Sequence, residues 1–150
     1  MSILRLNKSV YGALRAHGEI TYPHECCGAL VGAKTSGAGL PEWTISYAVG
    51  ADNARRDSPQ NRYAIDPQEL IRILGEARKR GLEIAGFYHS HPDHPAQWSQ
   101  TDLTEAHWLG CCYVITEVAQ GRAAKTNSFL LNGTQEEDKQ FLPQTIELLD

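Results

Sequence analysis

Two histidines, His89 and His91, stand one residue apart in the segment His89-Ser90-His91-Pro92, and ten residues separate His91 from Asp102. On a strand, alternate residues share a face, so both imidazoles could reach one ion from a rigid edge. Two neutral imidazoles and a carboxylate are the donors of a catalytic zinc site, because three protein ligands leave the fourth tetrahedral position open to water. Zinc held this way lowers the pKa of that water and polarises a carbonyl. Hydrolysis also needs a base to carry the proton to the leaving amine, and Glu25, just ahead of the apolar run Cys27-Gly-Ala-Leu-Val-Gly32, is the best-placed carboxylate. Ser99, three residues before Asp102, could donate a hydrogen bond to the oxyanion of a tetrahedral intermediate. Each residue also has a plainer reading: Glu25 as a solvated loop carboxylate, Ser99 as a helix N-cap. An H-x-H pair by itself is weak.

The elements that must hold these residues follow from periodicity. Val10 and Leu14 with flanking alanines predict a helix over 8–17, and Gly18 is its expected stop. The apolar run 27–32 reads as a buried strand, 43–49 as another, and 62–65 as a short third after a polar loop over 51–61. The Gly-rich stretch 36–39 reads as a loop. Asp66 is a natural N-cap and Pro67 suits the first helical position, with Leu70, Ile73, Leu74 and Ala77 forming one stripe before Gly81. A core strand over 82–91 then runs into the histidines, and Pro92 ends it. Ser99-Gln-Thr-Asp102 has capping-box spacing with Asp in place of Glu, which opens a helix over 99–108 and puts Asp102 in its first turn. Strands are expected over 111–118 and 126–131; the segment from 134 onward shows no clear pattern. Helices alternating with apolar strands give the expected fold class, an α/β layer structure with a mixed central sheet flanked by helices.

The chain has 150 residues, 41% of them hydrophobic and 21% charged, with a formal net charge of -4. This suits one domain spanning 1–150 with its own core, and supplies no basic surplus to draw it to nucleic acid. Arg5, Lys8 and Arg15 interrupt the early apolar residues, so neither a signal peptide nor a membrane span is expected and the expected location is the cytoplasm. The adjacent pairs Cys26-Cys27 and Cys111-Cys112 fit neither a disulfide framework nor zinc chelation, and read as reduced residues packed in strands. The remaining polar groups near the motif, Asp93, His94 and His107, read as loop or helix-face residues.

The full constellation is far more specific than its parts. Glu25, then His89-x-His91-Pro92, Ser99 and Asp102, resembles the JAMM (MPN+) metalloprotease motif, and Tyr22-Pro-His-Glu-Cys-Cys-Gly-Ala-Leu-Val-Gly32 is similar to the glutamate-bearing segment of its small bacterial members. The likeness extends from the first helix to about Val118, with no motif position substituted. It implies a cytidine-deaminase-like sheet, one Zn2+ on His89, His91 and Asp102, Glu25 as general acid/base and Ser99 as oxyanion helper. It further implies cleavage of peptide or isopeptide bonds at the C-terminal tail of a ubiquitin-like sulfur-carrier protein of the MoaD/ThiS type. Two other readings stay open: a non-catalytic interaction module on the same fold, against which the intact ligand set argues, and a zinc amidohydrolase for small peptides. Loops 35–40 and 51–61 are candidate specificity elements. Asn53, Arg55, Arg56 and Arg62 could receive an acidic partner or could simply face solvent.

Overall fold

A computed structural model describes residues 2–35 and 38–150. Seven strands, β1 (Ile3–Asn7), β2 (Cys27–Lys34), β3 (Trp43–Ala51), β4 (Glu83–Pro92), β5 (Cys112–Ala119), β6 (Arg122–Asn132) and β7 (Gln140–Leu149), close into a barrel in the order β1-β3-β2-β4-β5-β6-β7. The helices are α1 (Lys8–Thr21), α2 (Pro67–Lys79) and α3 (Gln100–Glu105), with a single 3-10 turn at Glu136–Asp138. The β1–β3, β1–β7 and β4–β5 pairs are parallel and the others antiparallel.

This overturns the expected central sheet flanked by helices. The two strands that the sequence pattern did not reveal, at the chain ends, are those that close the ring. β1 alternates buried Leu4 and Leu6 with half-exposed neighbours, and it lies parallel to both β3 and β7. The second half of β7, from Thr145, pairs with β1, while its first half pairs with β6. The β1–β3 seam is short, pairing Leu4 with Trp43 and Arg5 with Thr44, whereas β3 pairs with β2 along its whole length. Helix α1 does not cover the outside of a layer: it packs against β1, β3, β4, β5, β6 and β7, which only an element within the curl can do. Val10 and Leu14 of α1 pack with Leu4, Leu30, Ile45 and Val114 on this inner face. α2 lies on the opposite face, where Ile73 and Ala77 meet Val31, Phe87 and Ile115.

Several element boundaries move for physical reasons. α1 continues through Gly18 to Thr21. Gly18 is not its stop but the point where the helix touches the sheet, since an added Cβ would lie 3.0 Å from a Val118 methyl and 3.2 Å from the Ser90 Cβ. Gly18→Val is therefore expected to lower stability by about 1–3 kcal/mol through overpacking, visible as an earlier urea midpoint. Residues 62–65 form no strand; they belong to the β3–α2 connection, clipped by a bond from Ala54 N to Ala64 O. The expected loop over 36–39 falls partly outside the described residues. α2 begins as read, with the Asp66 carboxylate accepting from Gln68 N and Pro67 in the first turn.

All four cysteines are free and buried as expected, but only Cys27 and Cys112 lie in strands; Cys26 and Cys111 immediately precede β2 and β5. The 111–112 pair divides between the two faces, Cys111 on the α2 side and Cys112 on the α1 side. Among the described residues no helix is long and apolar enough to cross a membrane.

Candidate metal centre

Strand alternation separates the motif residues cleanly. Ser90 turns toward α1 and is fully buried there, while His89 and His91 turn to the other face. Across the antiparallel β2–β4 pair, Cys27 stands opposite His89. The pairing runs on past the strand, with Ser90 N donating to Cys26 O (3.4 Å) and Cys26 N to Ser90 Oγ (2.8 Å). One more step of that register brings Glu25 beside His91, on the same face. Ser90, which the motif reading passed over, thus ties the glutamate segment to the histidine strand from behind.

Asp102 arrives from α3. The Ser99 hydroxyl accepts from Asp102 N at 3.0 Å, and the Asp102 carboxylate accepts from Ser99 N at 2.9 Å, so the capping box forms with Asp in the Glu position. The far end of this six-residue helix is held by Lys139, whose Nζ donates to the Thr104 and Ala106 carbonyls at 3.2 and 2.7 Å. Both ends of the short helix are therefore fixed by side chains.

The three candidate ligands converge, with one donor atom from each of His89, His91 and Asp102 within 4.8 Å of the others. The two imidazole Nε2 atoms lie 3.2 Å apart, and Asp102 Oδ1 and Oδ2 lie 3.3 and 3.1 Å from His89 Nε2 and His91 Nε2. His91 Nδ1 sits 2.8 Å from the Pro95 carbonyl, which can only accept, so that nitrogen carries the proton. In the neutral ring His91 Nε2 then offers a lone pair to a carboxylate oxygen that also offers one. Two acceptors at that distance need a proton or a cation between them. The donor set, the fixed His91 tautomer and the convergence all fit a divalent metal.

Electrostatics around the cluster divide by depth. Burial opposes protonation of both imidazoles; at His89 it prevails, and that ring is held below its ordinary pKa. At His91 the same burial is outweighed by bonds to Asp102 and the Pro95 carbonyl, so its pKa rises. Burial would raise Asp102, but the hydrogen bonds from His89 and His91 dominate and hold its carboxyl far below the usual carboxylate range. Glu25 is the opposite case. It is buried, with no hydrogen-bond partner to Oε1 among the described residues, and burial pushes its pKa up to about 8; Asp102 and Glu105 add to this while His91 opposes it.

Glu25 and His91 line one cleft of about 370 Å³ together with Asn61, His94, Pro95, Gln97, Trp98 and Ser99. Trp98 lines the cleft while its ring packs 5.6 Å from Phe141. His94 borders the cleft too, whereas Asp93 is taken up by Tyr22 Oη and Gln120 N, and His107 pairs with Glu136. Tyr63 is a residue that motif reading missed: its ring stacks on His89 at 4.4 Å and 23°. Arg55 and Arg62 both face Glu105, and Arg55 also pairs with Asp57. Asn53 is likewise engaged within the protein, bonding Glu25 O and Arg62 O.

The profile of prokaryotic homologs of the JAB domain matches residues 7–131. The chain belongs to this family. It is similar to a desampylase from Haloferax volcanii, 34% identical over 93 residues that make up 62% of each chain. It also resembles a probable TtuB-protein conjugate cleaving protease from Thermus thermophilus, 41% identical over 51 residues and 34% of each chain. These matches thus span less than two thirds of either relative's length. The fold is shared almost end to end with a protein from Salinibacter ruber, at TM-score 0.70 and 32% identity over 97% of this chain and 92% of that one. A protein from Desulfitobacterium hafniense matches at TM-score 0.80 and 25% identity over 98% and 93% of the two chains. Of the five motif residues, Glu25, His89, His91, Ser99 and Asp102, all fall inside the segment matched by the JAB profile.

Proposed function

We propose that this JAB-domain chain is a zinc-dependent peptidase or isopeptidase that cleaves at the C-terminal tail of a ubiquitin-like protein of the sulfur-carrier type. The observation that carries the chemistry is the convergence of His89, His91 and Asp102, with His91 lining one cleft together with Glu25, a buried carboxylate whose Oε1 has no hydrogen-bond partner among the described residues. The substrate class draws on the desampylase and the TtuB-conjugate protease, whose names both point to conjugates of small modifier proteins. The free, buried thiols support a reducing compartment, the cytoplasm.

His89 Nε2, His91 Nε2 and an Asp102 oxygen would hold one zinc. When bound, zinc supplies a Lewis-acidic centre that polarises the scissile carbonyl and makes water a stronger acid. Glu25, made a stronger base by its burial, takes a proton from the attacking water as the new carbon–oxygen bond forms, and delivers it to the amine as the carbon–nitrogen bond breaks. The Ser99 hydroxyl accepts one bond at the α3 cap and keeps its own proton to donate to the oxyanion. Trp98 and Pro95 wall the cleft along which an extended tail can lie.

The test combines metal content with substrate size. Purified wild-type protein is expected to hold one zinc per chain and His89→Ala none, as read by elemental analysis. The zinc form should cut a ubiquitin-like protein carrying a short C-terminal extension. Cleavage of the free extension peptide alone would favour a small-peptide amidohydrolase. Absence of zinc after reconstitution would overturn the mechanism and leave the interaction module as the better account.

A further inference from the structure

The long connection between β3 and α2 reaches the site through Asn61, which lines the cleft, and Tyr63, which stacks on His89, and one side chain organises it. The Asn53 carboxamide has two N–H donors and two acceptor lone pairs, and all four are used. Oδ1 accepts from Arg55 N at 2.9 Å and Ala64 N at 3.1 Å, while Nδ2 donates to Arg62 O at 2.9 Å and Glu25 O at 3.3 Å. Two consequences meet at the metal cluster. The backbone of Glu25 is held on both sides by this connection, its N–H by Pro59 O at 2.8 Å and its carbonyl by Asn53. Tyr63 lies between Arg62 and Ala64, both bonded to the same carboxamide, so the ring that stacks on His89 has its backbone pinned at either side.

We propose that Asn53 is a positioning residue of the hydrolytic site, holding Glu25 and the Tyr63–His89 stack in register with one another through its saturated carboxamide. It touches neither substrate nor metal; it acts through the two groups it bonds. The proposal rests on the hydrolase reading for its kinetic consequence, and on geometry alone for its structural one. A residue that served only to stabilise the loop would change the fraction of folded protein without changing turnover per zinc-loaded molecule. Asn53 is expected to change turnover itself, because a shift of the base relative to the reacting centre is costly even when ligands remain bound.

Asn53→Asp is the informative variant, since it keeps the shape and the two acceptor contacts while removing both donors. Zinc stoichiometry should be unchanged, kcat should fall about 10–100-fold per bound zinc, as is typical when groups that orient an active centre are altered, and KM should hold within about twofold. The second readout is NMR of the zinc-free protein. The His89 ring protons, shifted upfield by the stacked Tyr63 ring in the wild type, should move toward their free values in the variant. Amide exchange on the unaltered protein should find the Arg55 and Ala64 amides protected together, which tests the four-bond hub even if the variant fails to fold. Wild-type turnover per zinc in Asn53→Asp, an unmoved His89 resonance, or rapid exchange at Arg55 and Ala64 would each overturn the proposal. If the wild type neither binds zinc nor cleaves, the hydrolase reading fails, while the resonance and exchange measurements still decide the positioning role.

Discussion

Glu25→Gln is expected to abolish cleavage, lowering kcat about 10²–10⁴-fold, while zinc remains bound at one per chain. The side chain keeps its shape but loses the ability to hold a proton at its carboxyl oxygen. None of the three candidate ligand groups is altered, so loss of zinc in this variant would recast Glu25 as a structural support of the metal. A second effect follows from the environment that suits Glu25 for proton transfer. Its carboxyl is buried, with Oε1 unpartnered among the described residues, and its pKa stands at about 8 against an ordinary 4.5. Between those two values the folded, zinc-free protein binds more protons at this site than the unfolded chain, so stability falls as pH rises through the window. Each unit of displacement is worth about 1.4 kcal/mol, and burying the new amide returns roughly 1–3 kcal/mol of that. Zinc-free Glu25→Gln should therefore be more stable than zinc-free wild type by on the order of 2 kcal/mol at pH 8, with the gain vanishing near pH 4.5. Urea unfolding of both proteins at the two pH values, in chelator, checks the sign. A variant that is less stable at pH 8 than at pH 4.5, relative to wild type, would show that the carboxylate is not held in an unfavourable environment.

The contrast between site and fold in legibility has a physical origin. The motif could be read because its information is local: period-two alternation sends His89 and His91 to one face, and a capping box puts Asp102 in the first turn of α3. Both rules hold whatever the rest of the sheet does. The closed barrel depends on partners that local pattern does not name. β1 is five residues long, and its two buried leucines can be read as the approach to α1 rather than as a strand. β7 carries charged, polar and proline residues and divides its pairing between β6 and β1, so neither half shows a full alternation. α1 likewise has an apolar stripe that says it is covered on one side, but not that a sheet curls round it. Tyr63 was hidden for a different reason, because the run Arg62-Tyr-Ala-Ile65 looks like a strand fragment until Tyr63 is seen stacked on His89. Asn53 was visible only as a polar residue, since saturation of its carboxamide is a property of the folded loop.

Asp102→Asn separates the two roles that this carboxylate fills. As a cap, Asp102 accepts from Ser99 N, and an amide oxygen can do the same. As a candidate ligand it brings a negative charge to two imidazoles at 3.1 and 3.3 Å, which an amide cannot. The amide N–H can instead donate to the bare His91 Nε2, relieving the acceptor–acceptor contact that the zinc-free site otherwise meets by protonation. The zinc-free variant should therefore unfold within about 1 kcal/mol of wild type at neutral pH, close to the range of a preserved cap. Zinc affinity should fall by more than the roughly 10–100-fold typical of residues that merely orient ligands, and cleavage should fall with it. At acid pH the two proteins should also diverge in a defined direction. A depressed carboxyl pKa contributes stability that is present above its unfolded value, near 4, and is lost as pH falls through the folded value. Wild type should lose that contribution on acidification and the variant, having none, should not. Equal zinc affinity in the two proteins, measured by competition with a chromophoric chelator, would remove Asp102 from the ligand set and leave it a helix cap beside a two-histidine site.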